Sequence, residues 1–551
     1  MTTLLLSHRA RQRHRRLSPI AAAAACSLFA FAVPAQAFTV DTGIEGLKLT
    51  WDNTVKYSTA FRLKSQDAAL VGSANANWDD GDRNFDRGLI SNLLDLLSEL
   101  DLQYRDVGLR VSGAAWYDDV YNRHNDNPGL GGDAYPNQTS TAYNEFTRAT
   151  RNLHGRKAEV LDAFAFARFD LGGMRATVRA GRHALTWGES LFFGGNAIAG
   201  GMAPVDVIKL ASVPGTQFKE AIRPVPQLSG QLQLTPALTL GAYYQVRWEA
   251  NRLPAVGSYF SQLDVNPDGA ERLMYPFAPY TGSRSGDEKP RNSGQGGVQL
   301  RFNHAGTDYG LYAIRFHSKS FQQVSTDFSA TPIPGVFVPG RYYLTYHEGV
   351  RAYGASASHT FGPANVAAEV SIRTNQDLAS SQASTFVPGF YAVGRTAHAN
   401  VSTLWSLDPT PLFNEAMLAA EIAWNRVLTC QSGCTALDPN TTRDATGLRL
   451  QFEPTYRQVL DGLDLGVPIG LGYAPRGSRS RALGPGNFPA ENGGDLTIGL
   501  NGTYLDAWRF TLAYTHYYGA AKPFLDANST FTYGQSLKDR DFIAFSLRRT
   551  F

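Results

Sequence analysis

Cysteine and long apolar runs are scarce in this sequence of 551 residues. It has three cysteines, and Cys26 lies in an N-terminal apolar run, so only two remain for the rest of the chain. A domain held together by a network of disulfides would need more of them. Beyond the N-terminal region no apolar run approaches about 18 residues, so we expect no transmembrane helix. The glycine patterns of nucleotide-binding loops are also absent, and we expect no cofactor.

The N-terminal 37 residues have the three parts of a secretory signal peptide. Five arginines precede an apolar run over residues 20–33, and the small residues Ala35 and Ala37 follow it. This order predicts export, with cleavage after Ala37 and a mature chain of residues 38–551. Cys26 lacks the leucine three positions earlier that a lipoprotein signal requires, so we expect no lipid anchor.

The positive charge of the chain belongs to the predicted signal. The full sequence carries +3, and removal of five arginines leaves the mature chain at −2. The basic isoelectric point therefore gives no support for nucleic-acid binding.

Apolar and polar residues alternate in many short segments of the mature chain. In residues 508–515, for example, Trp508, Phe510 and Leu512 alternate with arginine, threonine and alanine, as in a strand with one apolar face. The connections are alternately short and long, which is typical of outer-membrane β-barrels. We predict an all-β protein, an antiparallel transmembrane barrel of 16–18 strands. The segments are 46–61, 91–105, 107–120, 158–170, 174–183, 227–235, 237–249, 295–304, 307–318, 346–360, 363–373, 395–407, 414–427, 443–456, 462–474, 494–505, 508–519 and 539–551.

The last segment ends on an aromatic residue, Phe551. This ending resembles the C-terminal strand by which the outer-membrane insertion machinery recognises its barrels. We therefore expect that machinery and outer-membrane lipid as partners. The last strand is predicted to pair with the first, residues 46–61. Arg549 departs from the apolar pattern, and we expect it at the lipid headgroups.

The polar faces of the predicted strands would line the lumen of the barrel. Two interpretations of their charges remain open: they pair across strands, or the arginines form a path for an anionic group such as a carboxylate. The predicted lumen charges are Lys48, Asp52, Lys56, Arg247, Glu249, Arg301, Glu369, Arg373 and Arg449.

The longest connection, residues 183–226, contains many apolar residues for a solvent-exposed loop. That surface must be buried somewhere, and the lumen is available, so this loop is a candidate plug or constriction. It either only narrows the pore or presents a binding surface to a hydrophobic solute. The predicted substrate-path residues are Trp187, Glu189, Phe192, Phe193, Asp206, Phe218, Lys219 and Glu220.

Three further groups of residues are candidate sites. Cys430 and Cys434 are predicted to form a disulfide, because an exported chain meets an oxidising compartment. The acidic run at 79–86 lacks the glycine and the closing glutamate of an EF-hand, so its carboxylates are expected to bond backbone amides or arginines, with a looser Ca²⁺ site as the alternative. Histidines are scattered singly and no GxSxG element occurs, so we expect no enzyme.

Several long blocks resemble one family of proteobacterial outer-membrane proteins, DUF1302. They are GRHALTWGESLFFGG from residue 181, the block from residue 203 that begins APVDVIKLASVPG, the block from residue 243 that begins YYQVRWEANRL, and NWDDGDRNFDRGLISN at 77–92. The resemblance implies an outer-membrane location and transport of hydrophobic or amphipathic compounds such as steroids, aromatics or lipids. It also implies a DUF1329-type partner and an RND-type transporter. Import, export with such a pump, and a structural or adhesive role stay open.

Overall fold

The computed structural model covers most of the predicted mature chain. The described residues are 38–40, 43–72, 76–129, 136–213, 215–275, 281–330, 332–334, 337–383 and 389–551. The predicted signal peptide lies outside them. No helix in these ranges is long and apolar enough to cross a membrane.

Eighteen antiparallel strands in the described residues close into one barrel, at the upper end of the predicted number. They are β1 (Leu47–Arg62), β2 (Gly88–Tyr104), β3 (Val107–Asp118), β4 (Arg156–Leu171), β5 (Met174–His183), β6 (Val225–Thr235), β7 (Leu238–Gln245), β8 (Gln295–His304), β9 (Thr307–Phe316), β10 (Val350–Phe361), β11 (Ala364–Asp377), β12 (Val393–Leu407), β13 (Glu415–Ser432), β14 (Asp444–Leu460), β15 (Leu463–Gly466 continued by Ile469–Ala474), β16 (Gly493–Tyr504), β17 (Trp508–Tyr518) and β18 (Phe542–Thr550).

The last strand pairs with the first, as predicted. β18 runs antiparallel to β1, from Thr54 opposite Thr550 to Arg62 opposite Phe542. The backbone of Phe551 continues the pairing by exchanging two hydrogen bonds of 2.9 Å with Asn53. A short strand, Phe38–Val40, also pairs with β1. Closure removes the free edges that would otherwise pair with other chains.

Large apolar side chains point outward from the barrel. On β11, Val366, Val370 and Ile372 are exposed, whereas Glu369 and Arg373 on the opposite face are buried inside. This is the alternation of a strand that meets lipid on one face and a polar interior on the other. Arg549, on the outward face of β18, lies with its guanidinium carbon 5.0 Å from the ring centre of Trp508.

The two faces of β4 could not be assigned from the sequence, because phenylalanines oppose alanines there. In the structure the Phe166 ring covers Gly108 of β3, where any Cβ would collide with it. Val107 and Leu109, on either side of that glycine, are exposed on the outward face. Phe166 therefore faces inward, and an aromatic ring shields a glycine in the neighbouring strand.

Two long loops form a small cap that the sequence did not predict. Its four strands are Arg272–Met274, Thr281–Arg284, Gln323–Ala330 and Phe337–Thr345. Their side chains bury a core with Trp248. The alternation of the predicted segment 237–249 places Trp248 on the lipid face with Tyr244 and Val246, and this prediction is wrong for Trp248. β7 ends at Gln245 rather than 249, so Arg247 and Glu249 lie in the following loop and not on a strand. β10 begins at Val350 rather than 346 because the preceding residues belong to the cap.

Helices are short and lie in the long connections. They are Asp80–Arg83, Val120–Asn122, Arg148–Thr150, Arg151–Gly155, Ala199–Met202, Val207–Ser212, Phe218–Ala221 and Cys434–Ala436.

Candidate functional site

The connection between β5 and β6 folds into the barrel and binds the inward faces of the strands. We call residues 184–224 the inner loop. Its first half is rich in glycine, and Gly188 adopts a φ of +95° beside the carboxylate of Glu369. A side chain at Gly188 would collide with that carboxylate, so the close approach of loop and wall depends on glycine here.

Two buried carboxylates on the barrel wall hold the inner loop. Glu421 of β13 accepts backbone N–H bonds from Leu191, Phe192 and Phe193, at 3.2, 2.5 and 2.9 Å. Glu369 of β11 accepts from the backbone N–H groups of residues 189 and 198, at 2.9 and 2.6 Å. Loop amides that cannot pair within a sheet thus find charged acceptors on the wall, and hydrogen bonds to a charged group are the stronger kind.

A fully bonded asparagine strengthens the same contact. The Asn196 amide donates to Asn400 and to the carbonyls of Ala399 and Trp424, at 2.9, 3.2 and 3.0 Å. Its oxygen accepts from Asn425 at 3.1 Å. Buried polar groups that are fully paired specify one arrangement of the chain, because any shift leaves them unpaired.

Arg373 of β11 also binds the loop. Its guanidinium donates to the carbonyls of Gly195 and Ala197, at 3.0 and 2.8 Å, and only 3% of the residue is exposed. Arg373 therefore holds the loop through its Nη2 and is buried, rather than standing open to the lumen.

An ion-pair cluster around Arg252 holds the second half of the inner loop. Arg252 pairs with Asp206 at 2.8 Å and also with Glu159 of β4. The backbone N–H of Val205 donates to Asn251 at 2.8 Å, and Arg223 donates to the carbonyl of Ala250 at 3.0 Å. These contacts join the loop to the chain that follows β7.

The inner loop crosses the lumen. Beyond the contacts with β11 and β13, a Cβ on Gly215 would lie 3.1 Å from the Gln451 side chain of β14. Burial lowers the pKa of Lys209 in the loop, Glu220 raises it, and Lys56 of β1 and Arg548 of β18 lower it further. The loop therefore lies close to the wall on both sides.

The aromatic residues predicted to line a solute path do not all do so. Trp187 is 6% exposed and packs with its ring centre 5.0 Å from that of Tyr243. Phe193 packs against Phe488, and Phe218 is buried within the loop itself. For these three residues the prediction is wrong, because they hold the loop in place. The partly exposed Glu189, Phe192 and Asp206 and the exposed Lys219 and Glu220 remain candidates.

Several of the predicted lumen charges form ion pairs with oppositely charged residues nearby. Lys56 lies 3.2 Å from Asp95, and Arg449 lies 2.6 Å from Asp495. Glu249, at the rim, pairs with Arg182 at 2.6 Å.

Other charges stay open to the lumen or its ends. Lys48, Arg247 and Arg301 are exposed, and Asp52 is partly buried. Arg509 of β17 stands opposite Arg548 of β18 in the register. Like charges placed opposite each other are unfavourable without a counter-ion, so this side of the wall favours anions.

Cys430 and Cys434 form a disulfide, as the sequence predicted. It lies at the end of β13 away from the short turns and takes no part in holding the inner loop.

The closed barrel, its apolar outer surface and its alternation of short turns with long loops define a protein of the outer-membrane β-barrel class. The chain belongs to the family described as "Protein of unknown function (DUF1302)", whose model matches residues 18–551. None of the curated proteins matches it.

The chain has weak similarity to several solved structures. Pseudomonas aeruginosa OpdK with vanillate has 10% identity and a TM-score of 0.40, with 91% of this chain and 98% of that one covered. Acinetobacter baumannii OccAB4 has 9% identity and a TM-score of 0.40, with 91% and 97% covered. Salmonella typhi OmpF in complex with daunomycin has 8% identity and a TM-score of 0.36, with 93% and 100% covered. Similarities of this size say nothing about the solute.

Proposed function

We propose that this protein is an outer-membrane channel for amphipathic organic solutes, such as steroids, aromatics or lipid-like acids, with the inner loop as its constriction. The observation that carries the proposal is the attachment of this loop across the lumen by Glu369 and Glu421. A barrel of this strand number encloses an aqueous channel unless it is filled, so a loop fixed inside it decides what passes. The long loops would face the exterior and the short turns the periplasm.

The surface of the constriction supports an amphipathic solute. Phe192 and Leu210 of the inner loop are partly exposed, and Val213 is exposed. The wall of the barrel also carries two exposed cations, Arg509 and Arg548, which stand opposite each other in the register. An apolar body would contact the loop while a carboxylate meets the arginines, whose planar donor groups suit it.

The proposal also concerns the direction of transport and the partner proteins. Import requires only the channel, whereas export would need a pump in the inner membrane. An RND-type transporter and a DUF1329-type periplasmic protein are the partners that the family resemblance implies, and they stay proposals.

Solute flux into liposomes tests the channel. Purified barrel should admit a labelled steroid carboxylate faster than a neutral sugar of equal mass. The double variant Arg509→Gln, Arg548→Gln should lower steroid carboxylate flux several-fold and leave sugar flux unchanged. Arg175→Gln removes an exposed arginine on β5 and serves as the matched control. Equal fluxes in all three proteins would contradict the proposed solute, and no flux of any solute would contradict the channel.

A further inference from the structure

Three aspartates from two long loops converge at one buried point beyond the strands. Asp79 and Asp80 follow β1, and Asp264 lies in the loop after β7. One carboxylate oxygen from each lies within 4.8 Å of the other two. Each of the three residues is no more than 1% exposed, so water does not compensate their charges.

The hydrogen bonds of these carboxylates leave one oxygen of each without a partner. Oδ2 of Asp264 accepts the backbone N–H groups of Asp79 and Asp80, at 3.0 and 3.2 Å. Oδ2 of Asp79 accepts from Arg83 at 2.6 Å, and Oδ2 of Asp80 accepts from the backbone N–H of Asn137 at 2.7 Å. Within the described ranges the three buried Oδ1 atoms accept no hydrogen bond. Buried carboxylate oxygens normally have a donor or a metal ion, because leaving them bare is costly.

Two neutral residues near the cluster, Ser258 and Tyr342, also have a buried hydroxyl without a hydrogen-bond partner among the described residues. Tyr342 is fully buried. Burial raises the pKa of Tyr342, and the charge of Asp264 raises it further. Ser258, also fully buried, has an unpartnered hydroxyl. Its carbonyl oxygen would lie 2.6 Å from a Cβ on Gly81, so only glycine fits beside Asp80.

The charges of the cluster do not balance. Arg83 offsets one of the three carboxylates. Arg272 is near enough to lower the pKa of Asp80, but its guanidinium donates to the carbonyl of Pro136 at 3.1 Å. A bound divalent cation would supply the missing positive charge.

We propose that Asp79, Asp80 and Asp264 bind a divalent cation, Ca²⁺ by preference, and that the ion ties the long loops together over the barrel mouth. Ca²⁺ takes oxygen ligands at about 2.3–2.6 Å, so ligands on opposite sides lie about 5 Å apart, which the cluster satisfies. Asn137, which donates to Asp80, brings a third loop to the site. The sequence favoured no metal at the acidic run and left a looser Ca²⁺ site as the alternative; this proposal takes up that alternative and adds Asp264 from a second loop.

Calcium binding to the purified barrel tests the site. Protein refolded in detergent without lipopolysaccharide and stripped with a chelator is titrated with Ca²⁺ by calorimetry. We expect one ion per chain with a Kd on the order of 10⁻⁵–10⁻⁴ M. Tb³⁺ should bind in the same place, with luminescence sensitised by Trp78, the residue before Asp79.

Asp80→Asn and Asp264→Asn should each weaken binding at least tenfold. Asp438→Asn is the matched control, because Asp438 is a buried aspartate of another long loop that accepts backbone N–H bonds at 2.7 and 2.9 Å. Wild-type protein that binds neither ion would overturn the proposal. Binding that both cluster variants retain at full strength would also overturn it. If the variants fail to fold, a lack of any rise in wild-type Tm on adding Ca²⁺ would contradict the site.

Discussion

Replacement of Glu421 by glutamine should release the inner loop from the barrel wall. Three backbone N–H groups, of residues 191 to 193, donate to one oxygen of this buried carboxylate, and Asn400 donates to the other at 2.7 Å. Hydrogen bonds to charged groups contribute about 1.5–3 kcal/mol each, and bonds that share one acceptor do not add fully. Glutamine keeps one acceptor and loses the charge. A loss of about 3 kcal/mol is therefore a reasonable magnitude, equivalent to a roughly 150-fold larger population of the released loop.

Single-channel recording in planar bilayers measures this population directly. Glu421→Gln should show long openings to a higher conductance level, at least tens of times more frequent than in the wild type. Glu453→Gln is the matched control, because Glu453 of β14 bonds Asn501 within the wall at 2.9 Å. Both variants must migrate as folded barrels on unheated gels. Identical conductance and noise in all three proteins would refute the role of the carboxylate as the attachment of the loop.

Three smaller changes test other parts of the structure. Trp187→Ala should cost about 3 kcal/mol of packing against Tyr243 and make the inner loop cleavable by protease; unchanged resistance would contradict this. Burial lowers the pKa of Lys319 to about 7, so between pH 7 and about 10.4 the unfolded chain binds more protons than the folded one, and the free energy of unfolding should rise with pH. In urea unfolding, Lys319→Met should lack that rise, and the same dependence on pH as in the wild type would count against the prediction. Serine at both Cys430 and Cys434 should lower stability by about 2 kcal/mol at most and leave conductance unchanged, since so short a loop gains little from closure; altered conductance would link the disulfide to the channel.

The barrel could be predicted because each strand meets lipid on one face. Lipid imposes a strict alternation over about ten residues. Every second connection is short, with two or three residues in all of them except the seven residues between β12 and β13. β18 and its pairing with β1 followed from this pattern alone. The same rule misled at Trp248, where the alternation continued past the end of β7 at Gln245 although the side chain enters the cap. Nothing in a period of two distinguishes a lipid face from a core face.

The sequence indicated where the candidate site lies but not which contacts form it. The apolar content of residues 183–226 correctly indicated burial inside the barrel, since no other place could cover it. Which aromatic residues stay open to the lumen did not follow, because Trp187 and Phe192 look alike in the sequence although the first is buried and the second is partly exposed. Asn196 and Asn400 were missed altogether. Short polar side chains in a loop or strand carry no pattern until their partners are known.

The charges inside this barrel have two distinct roles that burial separates. Glu369, Glu421 and Arg373 are nearly inaccessible, and each is matched to backbone groups of the inner loop. Such groups could not exchange partners with a passing solute, because an uncompensated charge would remain behind in a dry site. Arg509 and Arg548, in contrast, are exposed to solvent, and they stand opposite each other in the register. Selectivity should therefore respond to the exposed arginines, whereas the conductance level should respond to the buried glutamates. Glutamine substitutions in the two sets separate these effects.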